Sequence, residues 1–576
     1  MARFNIQLCE RFPLGRTFLS KTEILFDQIM KKILIIAFSI TLIFTTFYSC
    51  KKVTNKEDSN NISEDEVWQD TTLITAFANN LYTDVPTWNL PLNNFTDETR
   101  NGSPVTNGTV TPDTSVTYWP YNYIRKINLL IQQLPTAVGS QGLKNRLTGE
   151  AKFLRAYQYF AMIRRFGGMP IITIPQDLNS TDLFVSRNST SECFDFMVSD
   201  LDEAITLLPA ISPGANVGRV SREAAYALKA KIMVEWASPR YNPNGDQTRW
   251  QEALTACNEA ITRLNGSGYG LYEIYGDVFL REMNKEVIFA IRYANPGRTH
   301  NRDATVRPIS VSANGTGGDQ PTQELVDAYP MRDGTDVDPS LTYQQRFRNR
   351  DDRFYATIVY NGATYFGRRQ WTYVNSGVDG YRDVNGTYTG YYSRKAVDTT
   401  TTAAQAGTSG TDFIAIRYAD ILLLQAEAAN ETGNAGVAYA NLVLLRQRAN
   451  ILPGSNNMYG LIAGLAQQEL RSRIQKERQV EMAFEQNRFF DLLRWNLLYS
   501  TLNGKTRTAL RLTNPTPTVT PTASTVFTEA TEPVDTQILI IQNNSPFYPI
   551  PRRYIQNNPN LLQNQGWENG SFNPLL

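Results

Sequence analysis

What most constrains this chain is an amphipathic helix pattern that returns roughly every 30 to 40 residues through its first half. Residues 121–134, "YNYIRKINLLIQQL", set Ile124, Ile127, Leu130, Ile131 and Leu134 at spacings of three and four, the apolar stripe of an α-helix. "LKNRLTGEAKFLRAYQYFAMIRRF" continues in the same way until "GGMP" stops it. "SECFDFMVSDLDEAITLLP", "SREAAYALKAKIMVEWAS" and "WQEALTACNEAITRL" follow, with Ala225, Ala227 and Ala230 placed where helices can approach closely. A helix with one apolar stripe needs a neighbour to cover it, so helix pairs at this rhythm predict tetratricopeptide-like stacking. The expected fold is mainly α: an α/α superhelix of helical repeats over 65–294 and again over 411–576, where a Thr/Pro-rich stretch at 513–535 reads as an extended surface loop. Between the two, residues 295–410 turn to Gly, Asn, Asp, Thr and Tyr, a loop-rich insertion in which pieces such as "FYATIVY" predict short hairpins.

The N-terminal end has a different logic. Met30-Lys31-Lys32 precedes an uncharged run, 33–48, and then Ser49 and Cys50. A positive end, an apolar stretch and a small residue form the layout of a secretory signal. The run is short for a membrane anchor, which takes about 20 apolar residues. Cys50 reads as the lipid-attachment cysteine of a bacterial lipoprotein signal, although Phe47 and Tyr48 are bulkier than is usual upstream. The expected organisation is an upstream extension at 1–29 from a mis-assigned start, a signal peptide at 30–49, and an acylated Cys50 with a polar tether over 50–64. The globular body then runs from 65 to 576.

Composition removes several function classes. Lys and Arg total 56 against 55 Asp and Glu, so no charge excess points to nucleic acid. His300 is the only histidine and sits in a polar loop, which argues against a His-based triad and leaves no His-rich metal site. Cys193 and Cys257, the cysteines of the body, sit in apolar helical contexts and read as core thiols. Carboxylates are plentiful and glycoside hydrolysis needs two of them, but no pair stands out.

Several separated blocks carry a family resemblance. "GEAKFLRAYQYFAMIRRFGGMPII", "IRYADILLLQAEA", "ERQVEMAFEQNRFFDLLRW" and "YPIPRRYIQNNPNLLQNQGW" resemble, in order, motifs of the SusD/RagB family of Bacteroidetes outer-membrane nutrient-binding lipoproteins. "NNFTDETR" falls where that family has an Asp-Glu loop. Asp420, Gln486 and Gln565 depart from the residues usual at their positions, and the departures touch helix packing and a turn. The resemblance implies a surface-facing, lipid-anchored protein of the outer membrane. Such a protein captures an oligosaccharide, or in some members a peptide, and passes it to a SusC-like TonB-dependent barrel. It implies no enzyme, no catalytic residue, no metal and no cofactor; the alternative from another class is a lipid-anchored glycoside hydrolase using an Asp/Glu pair.

Two sets of residues follow. Read as one helix, "ERQVEMAFEQNRFFDLLRW" gathers Glu477, Glu481, Glu485, Arg488 and Asp491 in a stripe while its other faces are apolar. Buried charges need partners. Arg417, Glu427, Arg478, Glu481, Glu485 and Arg488 are therefore expected to form structural ion pairs between helices. Ligand contact is expected instead from aromatics in loops: Trp88, Tyr118, Trp371, Tyr373, Tyr381, Tyr388 and Tyr391, with Trp119 and Tyr392 beside them. The resemblance implies that loops from these regions converge on a shallow sugar-binding surface where flat rings stack on sugar faces.

Overall fold

Ser140, Ser189, Ser221 and Asp246 each stand one residue ahead of a helical run, and each caps it. A helix begins with backbone N–H groups that have no partner within it, and a side-chain oxygen at the cap accepts from one of them. In the computed structural model Ser140 accepts from Leu143 N at 3.3 Å, Ser221 from Ala224 N at 3.2 Å and Asp246 from Thr248 N at 2.8 Å. Ser189 and Glu192 form a reciprocal capping box. The structure describes residues 22, 25, 26, 28–37, 64–88, 91–210, 216–313 and 315–575. Two units divide the chain, Met1–Val67 and Trp68–Leu576. In the first, residues 28–37 are helical with exposed apolar side chains, and among the described residues no helix is long and apolar enough to cross a membrane. Cys50, most of the expected signal and all but the last residue of the expected tether lie outside the described residues.

The second unit begins with α1 (Thr71–Leu81), α2 (Tyr121–Gln133), α3 (Gln141–Phe166), α4 (Thr190–Leu207), α5 (Arg222–Ala237) and α6 (Gln247–Gly266). Successive helices from α2 to α6 pack on one another, as the 30- to 40-residue rhythm predicts. Small residues set the spacing: Ala225, Ala227 and Ala230 of α5 have no exposed surface, and a Cβ on Gly149 of α3 would stand 2.8 Å from Leu208 at the end of α4. Cys193 and Cys257 are buried free thiols.

Strand β1 (Val287–Ile291) then leads into the loop-rich region. Within it β2 (Ile358–Val359), β3 (Ala363–Tyr365), β4 (Arg368–Gln370) and β5 (Tyr392–Ser393) make two small antiparallel pairs, β2 with β5 and β3 with β4. The chain leaves through β6 (Phe413–Arg417), antiparallel to β1 with Val287 opposite Arg417 and Ile291 opposite Phe413. That pairing pins the entry and exit of the insertion together. The predicted hairpin in "FYATIVY" is partly corrected, because Asp352–Thr357 is a helix and only Ile358–Val359 is strand.

Helices resume as α7 (Tyr418–Glu431), α8 (Ala435–Arg448), α9 (Gln467–Glu481) and α10 (Arg488–Arg494). Every residue of α7 is buried, between α6, α8 and α9. The stretch read as one helix from Glu477 to Trp495 is two, because a turn over 482–487 holds Phe484 and Gln486 at positive φ. Tertiary donors break it: the Glu481 carbonyl accepts from the Tyr275 hydroxyl at 2.6 Å, Lys395 at 3.0 Å and Arg417 at 2.8 Å, and Lys395 also reaches the Ala483 carbonyl at 2.8 Å. Nor is the Thr/Pro-rich stretch loop throughout. Strands β7 (Thr508–Thr513) and β8 (Thr528–Pro533) pair antiparallel across its ends.

The charged side chains of this core are paired. Arg417, 1% exposed, reaches Glu286, Glu481 and Glu485 at 2.7 Å each, and Glu481 also meets Arg353 and Arg448. Arg478 bridges Asp420 at 2.7 Å and Asp491 at 2.8 Å, Arg494 holds Glu427 at 2.6 Å, and Arg488 holds Asp97 of the Asp-Glu loop at 2.8 Å. Burial alone would raise the Glu481 pKa; the guanidinium groups of Arg448, Arg417 and Arg353 outweigh it and hold the carboxyl well below the usual carboxylate range.

Candidate ligand cleft

Trp371 follows the β3–β4 hairpin directly, and the hairpin's geometry presents its ring. Gly362, at φ +86°, lies under the indole, where a Cβ would come within 3.3 Å of it. Thr372 N donates to Asn361 Oδ1 at 2.8 Å, and the Tyr343 hydroxyl donates to the Asn361 carbonyl at 2.7 Å, which fixes the hairpin against the Tyr343–Arg346 helical turn. Val374 N bonds the Leu512 carbonyl at 2.9 Å, tying the same segment to β7.

These ties leave a cleft of about 110 Å³ lined by Tyr343, Phe347, Tyr360, Trp371 and Phe527, with Arg348, Arg369, Gln344, Thr522 and Thr525 at its polar edge. Trp371 is half-buried, 6.4 Å from Phe527 between ring centres and 6.1 Å from Tyr373, which itself packs on Phe527 at 5.4 Å. Phe347 stacks on Tyr343 at 4.4 Å to form the floor. Arg348 and Arg369 are exposed, and Arg369 donates to the Gly362 carbonyl at 2.8 Å. No carboxylate lines the cleft. Chemically, it offers flat apolar faces and N–H donors, which suits a polyhydroxylated ring.

The expected aromatics are not brought together as one surface. Trp371 lines this cleft, while Tyr373 packs on Trp371 and Phe527 without lining it. Trp88 packs in a different apolar cluster, edge-on to Phe413 at 4.8 Å with the Arg302 guanidinium over its ring at 4.3 Å. Tyr388 is 43% exposed and carries the Arg100 guanidinium 3.8 Å over its ring. Tyr118 is half-buried with its hydroxyl held by Gln158, and Trp119 is stacked on Tyr554 at 3.9 Å. Tyr381 and Tyr391 are corrected: at 4% and 1% exposed, they have no free ring face for a ligand. The Tyr381 hydroxyl is bonded to Glu532 at 3.0 Å and that of Tyr391 to Gln323 at 2.6 Å. Tyr392 is buried as well.

Tyr343, Phe347, Tyr360, Phe527, Arg348 and Arg369 are cleft residues that sequence reasoning did not single out. No local spacing marks them, since pairing of β7 with β8 carries Phe527 across the chain to Trp371.

One carboxylate pair has the split that acid–base chemistry uses. Burial, with the charge of Asp97 beside it, pushes the Glu98 carboxyl up to about 8. Burial also acts on Asp97, but Arg488 outweighs it and holds that group below the ordinary range. Both are buried, and neither lines the cleft, so a substrate seated there does not reach them.

Comparison with known proteins agrees with this architecture. A family model described as "SusD family" matches residues 285–567, and one described as "Starch-binding associating with outer membrane" matches residues 20–234. SusD-like protein P2 of Formosa agariphila is 27% identical over 396 residues, 66% of this chain and 71% of that protein. SusD-like protein P38 of the same organism is 25% identical over 424 residues, 68% of this chain and 74% of that one. A SusD-like protein of Bacteroides fragilis superposes with a TM-score of 0.72 at 26% identity, covering 88% of this chain and 99% of that one. A laminarin-binding SusD-like protein superposes with a TM-score of 0.57 at 22% identity, over 87% of this chain and 100% of that one, a likeness of fold.

Proposed function

Because the chain belongs to the SusD/RagB family, we propose that it is a non-catalytic carbohydrate-binding protein whose oligosaccharide ligand seats in the Trp371 cleft. The observation that carries this reading is an aromatic cleft with donors at its edge and no carboxylate in its lining. Each stacked ring contributes about 0.5–1.5 kcal/mol beyond area burial by analogy with aromatic pairs. Millimolar binding needs about 4 kcal/mol, so Trp371 and Tyr360 with hydrogen bonds from Arg348 and Arg369 suffice for modest affinity. Tyr388, backed by Arg100, is a second exposed platform.

In the same reading the protein is held to the outer membrane through an acylated Cys50, faces the cell exterior, and delivers its ligand to a SusC-like TonB-dependent barrel. Support comes from the signal-like run before Cys50 and from the outer-membrane association in one matching family description. A shallow cleft does not reach nanomolar affinity, which takes about 12 kcal/mol; a barrel supplying the opposite wall would.

The test is calorimetric titration of the purified protein with a panel of oligosaccharides, alone and as a complex recovered in mild detergent, with reducing ends assayed in parallel. Saturable binding to wild type that Trp371→Ala weakens about tenfold, or ~1.4 kcal/mol, supports the cleft. Release of new reducing ends would install the hydrolase reading, and binding of peptides but no glycan would install the peptide reading.

A further inference from the structure

A second cavity, of about 50 Å³, lies inside the helical frame between α3, α5, β6 and the turn that joins α9 to α10. Its polar wall is formed by Arg164 and Arg165 at the end of α3, Lys231 on α5, Tyr157, Gln486 and Asn487. Lys231 is bound to Asp420 at 2.7 Å and to Asn487 Oδ1 at 3.0 Å, which leaves one of its three N–H donors. Glu485 is the one carboxylate in the lining, and it is already engaged by Arg417 at 2.7 Å and by Lys395.

The two arginines are exceptions to the pairing seen elsewhere. Arg165 is 1% exposed, its one side-chain hydrogen bond goes to the Ala161 carbonyl of its own helix, and its buried Nε has no partner among the described residues. Arg164 lies 3.7 Å over the ring of Phe490 with its own Nε buried and unpaired, and forms no ion pair among the described residues. Other buried arginines have fuller sets of partners: Arg417 has three carboxylates, and Arg350, whose Nε is also unpaired, donates to the carbonyls of Val326, Tyr329 and Arg346. Burial and the neighbouring charge of Arg164 pull the Arg165 guanidinium down to about 9. A buried and a half-buried guanidinium side by side, neither with a carboxylate partner among the described residues, are costly unless an anion lies between them. About 10–15 Å³ of such volume holds a water, so the cavity has room for roughly four oxygens.

We propose that this cavity is a binding site for a small oxyanion, a sulfate, phosphate or carboxylate group held by Arg164, Arg165, Lys231 and the Tyr157 hydroxyl. The group arrives either as a free ion or as the acidic substituent of a larger ligand. The site is separate from the Trp371 cleft and does not rest on the function proposed for it.

Titration calorimetry of the purified full-length protein at constant ionic strength, with sodium sulfate, sodium phosphate and galacturonate in separate arms, tests the site. Wild type is expected to show one saturable site for at least one of them, weakened more than tenfold in Arg164→Gln and unchanged in the exposed control Arg511→Gln. Arg164→Gln is also expected to melt no lower than wild type in anion-free buffer, because it removes an unpaired, half-buried charge that stands beside Arg165. Saturation by sulfate or phosphate assigns a free ion, and response to galacturonate alone assigns an acidic substituent. Wild-type crystals soaked in selenate should show an anomalous peak between Arg164 and Lys231, a readout independent of how any variant folds. No saturable response in any arm, equal binding by Arg164→Gln, or a selenate-soaked cavity without a peak would overturn the proposal.

Discussion

The charges around Arg417 in the helical frame are buried and paired, whereas at the Trp371 cleft the arginines are exposed and Trp371 and Tyr360 are only half covered. Arg417 fixes three carboxylates brought from β1 and the α9–α10 turn, and in doing so has no donor left for anything else. Trp371 makes its contacts on one side and keeps a face toward the cleft. The difference teaches that this fold separates holding from binding: ion pairs tie distant segments with fixed geometry, and half-buried rings offer area to a ligand at little cost to stability.

The largest expected effect that bears on this contrast is at Arg417. Arg417→Met should strip Glu286, Glu481 and Glu485 of a shared partner and cost about 3–5 kcal/mol of stability, since an abandoned buried charge is worth that much. Denaturant unfolding of the two proteins measures it. A stable Arg417→Met that binds glycan less well would put that network in the wrong class.

Next is the pH dependence from Glu98. Its folded pKa, about 8, lies above the ordinary 4.5, so the folded state holds the proton longer. The associated stability is complete below the unfolded pKa and is lost as pH rises through the folded one. Glu98→Gln should abolish the decline between about 4.5 and 8 and exceed wild type by up to about 5 kcal/mol at pH 9. Melting curves across that range check it.

Trp88→Ala sharpens the division between the two apolar clusters. With its ring against Phe413 and under Arg302, the loss should be one of stability, about 2 kcal/mol, below the ~3–5 kcal/mol of a fully buried Trp. Binding at the Trp371 cleft should stay unchanged in titrations of the folded fraction. The smallest change in free energy is expected for Trp371→Ala: glycan affinity falls about tenfold, or ~1.4 kcal/mol, while the melting midpoint scarcely moves. A large drop in midpoint with unaltered binding would move Trp371 into the frame.

The amino-acid sequence by itself determined the helices of the frame. The stripe of Ile124, Ile127 and Leu130, the caps at Ser140, Ser189 and Ser221, and the alanines of α5 are local signals, and local hydrogen bonding and side-chain size act on them directly. It also placed the charged residues of the core, because charges amid apolar faces must be paired wherever the partners come from. Only the tertiary structure decided where α9 ends, since the donors that capture the Glu481 and Ala483 carbonyls come from Tyr275, Lys395 and Arg417, far along the chain. It alone separated Trp371 from Tyr391 as well. Both are aromatics in Gly- and Thr-rich loops, and whether a ring keeps an open face depends on what other segments lay against it: Gln323 and Phe347 close over Tyr391, while Phe527 meets Trp371 from one side and leaves the cleft.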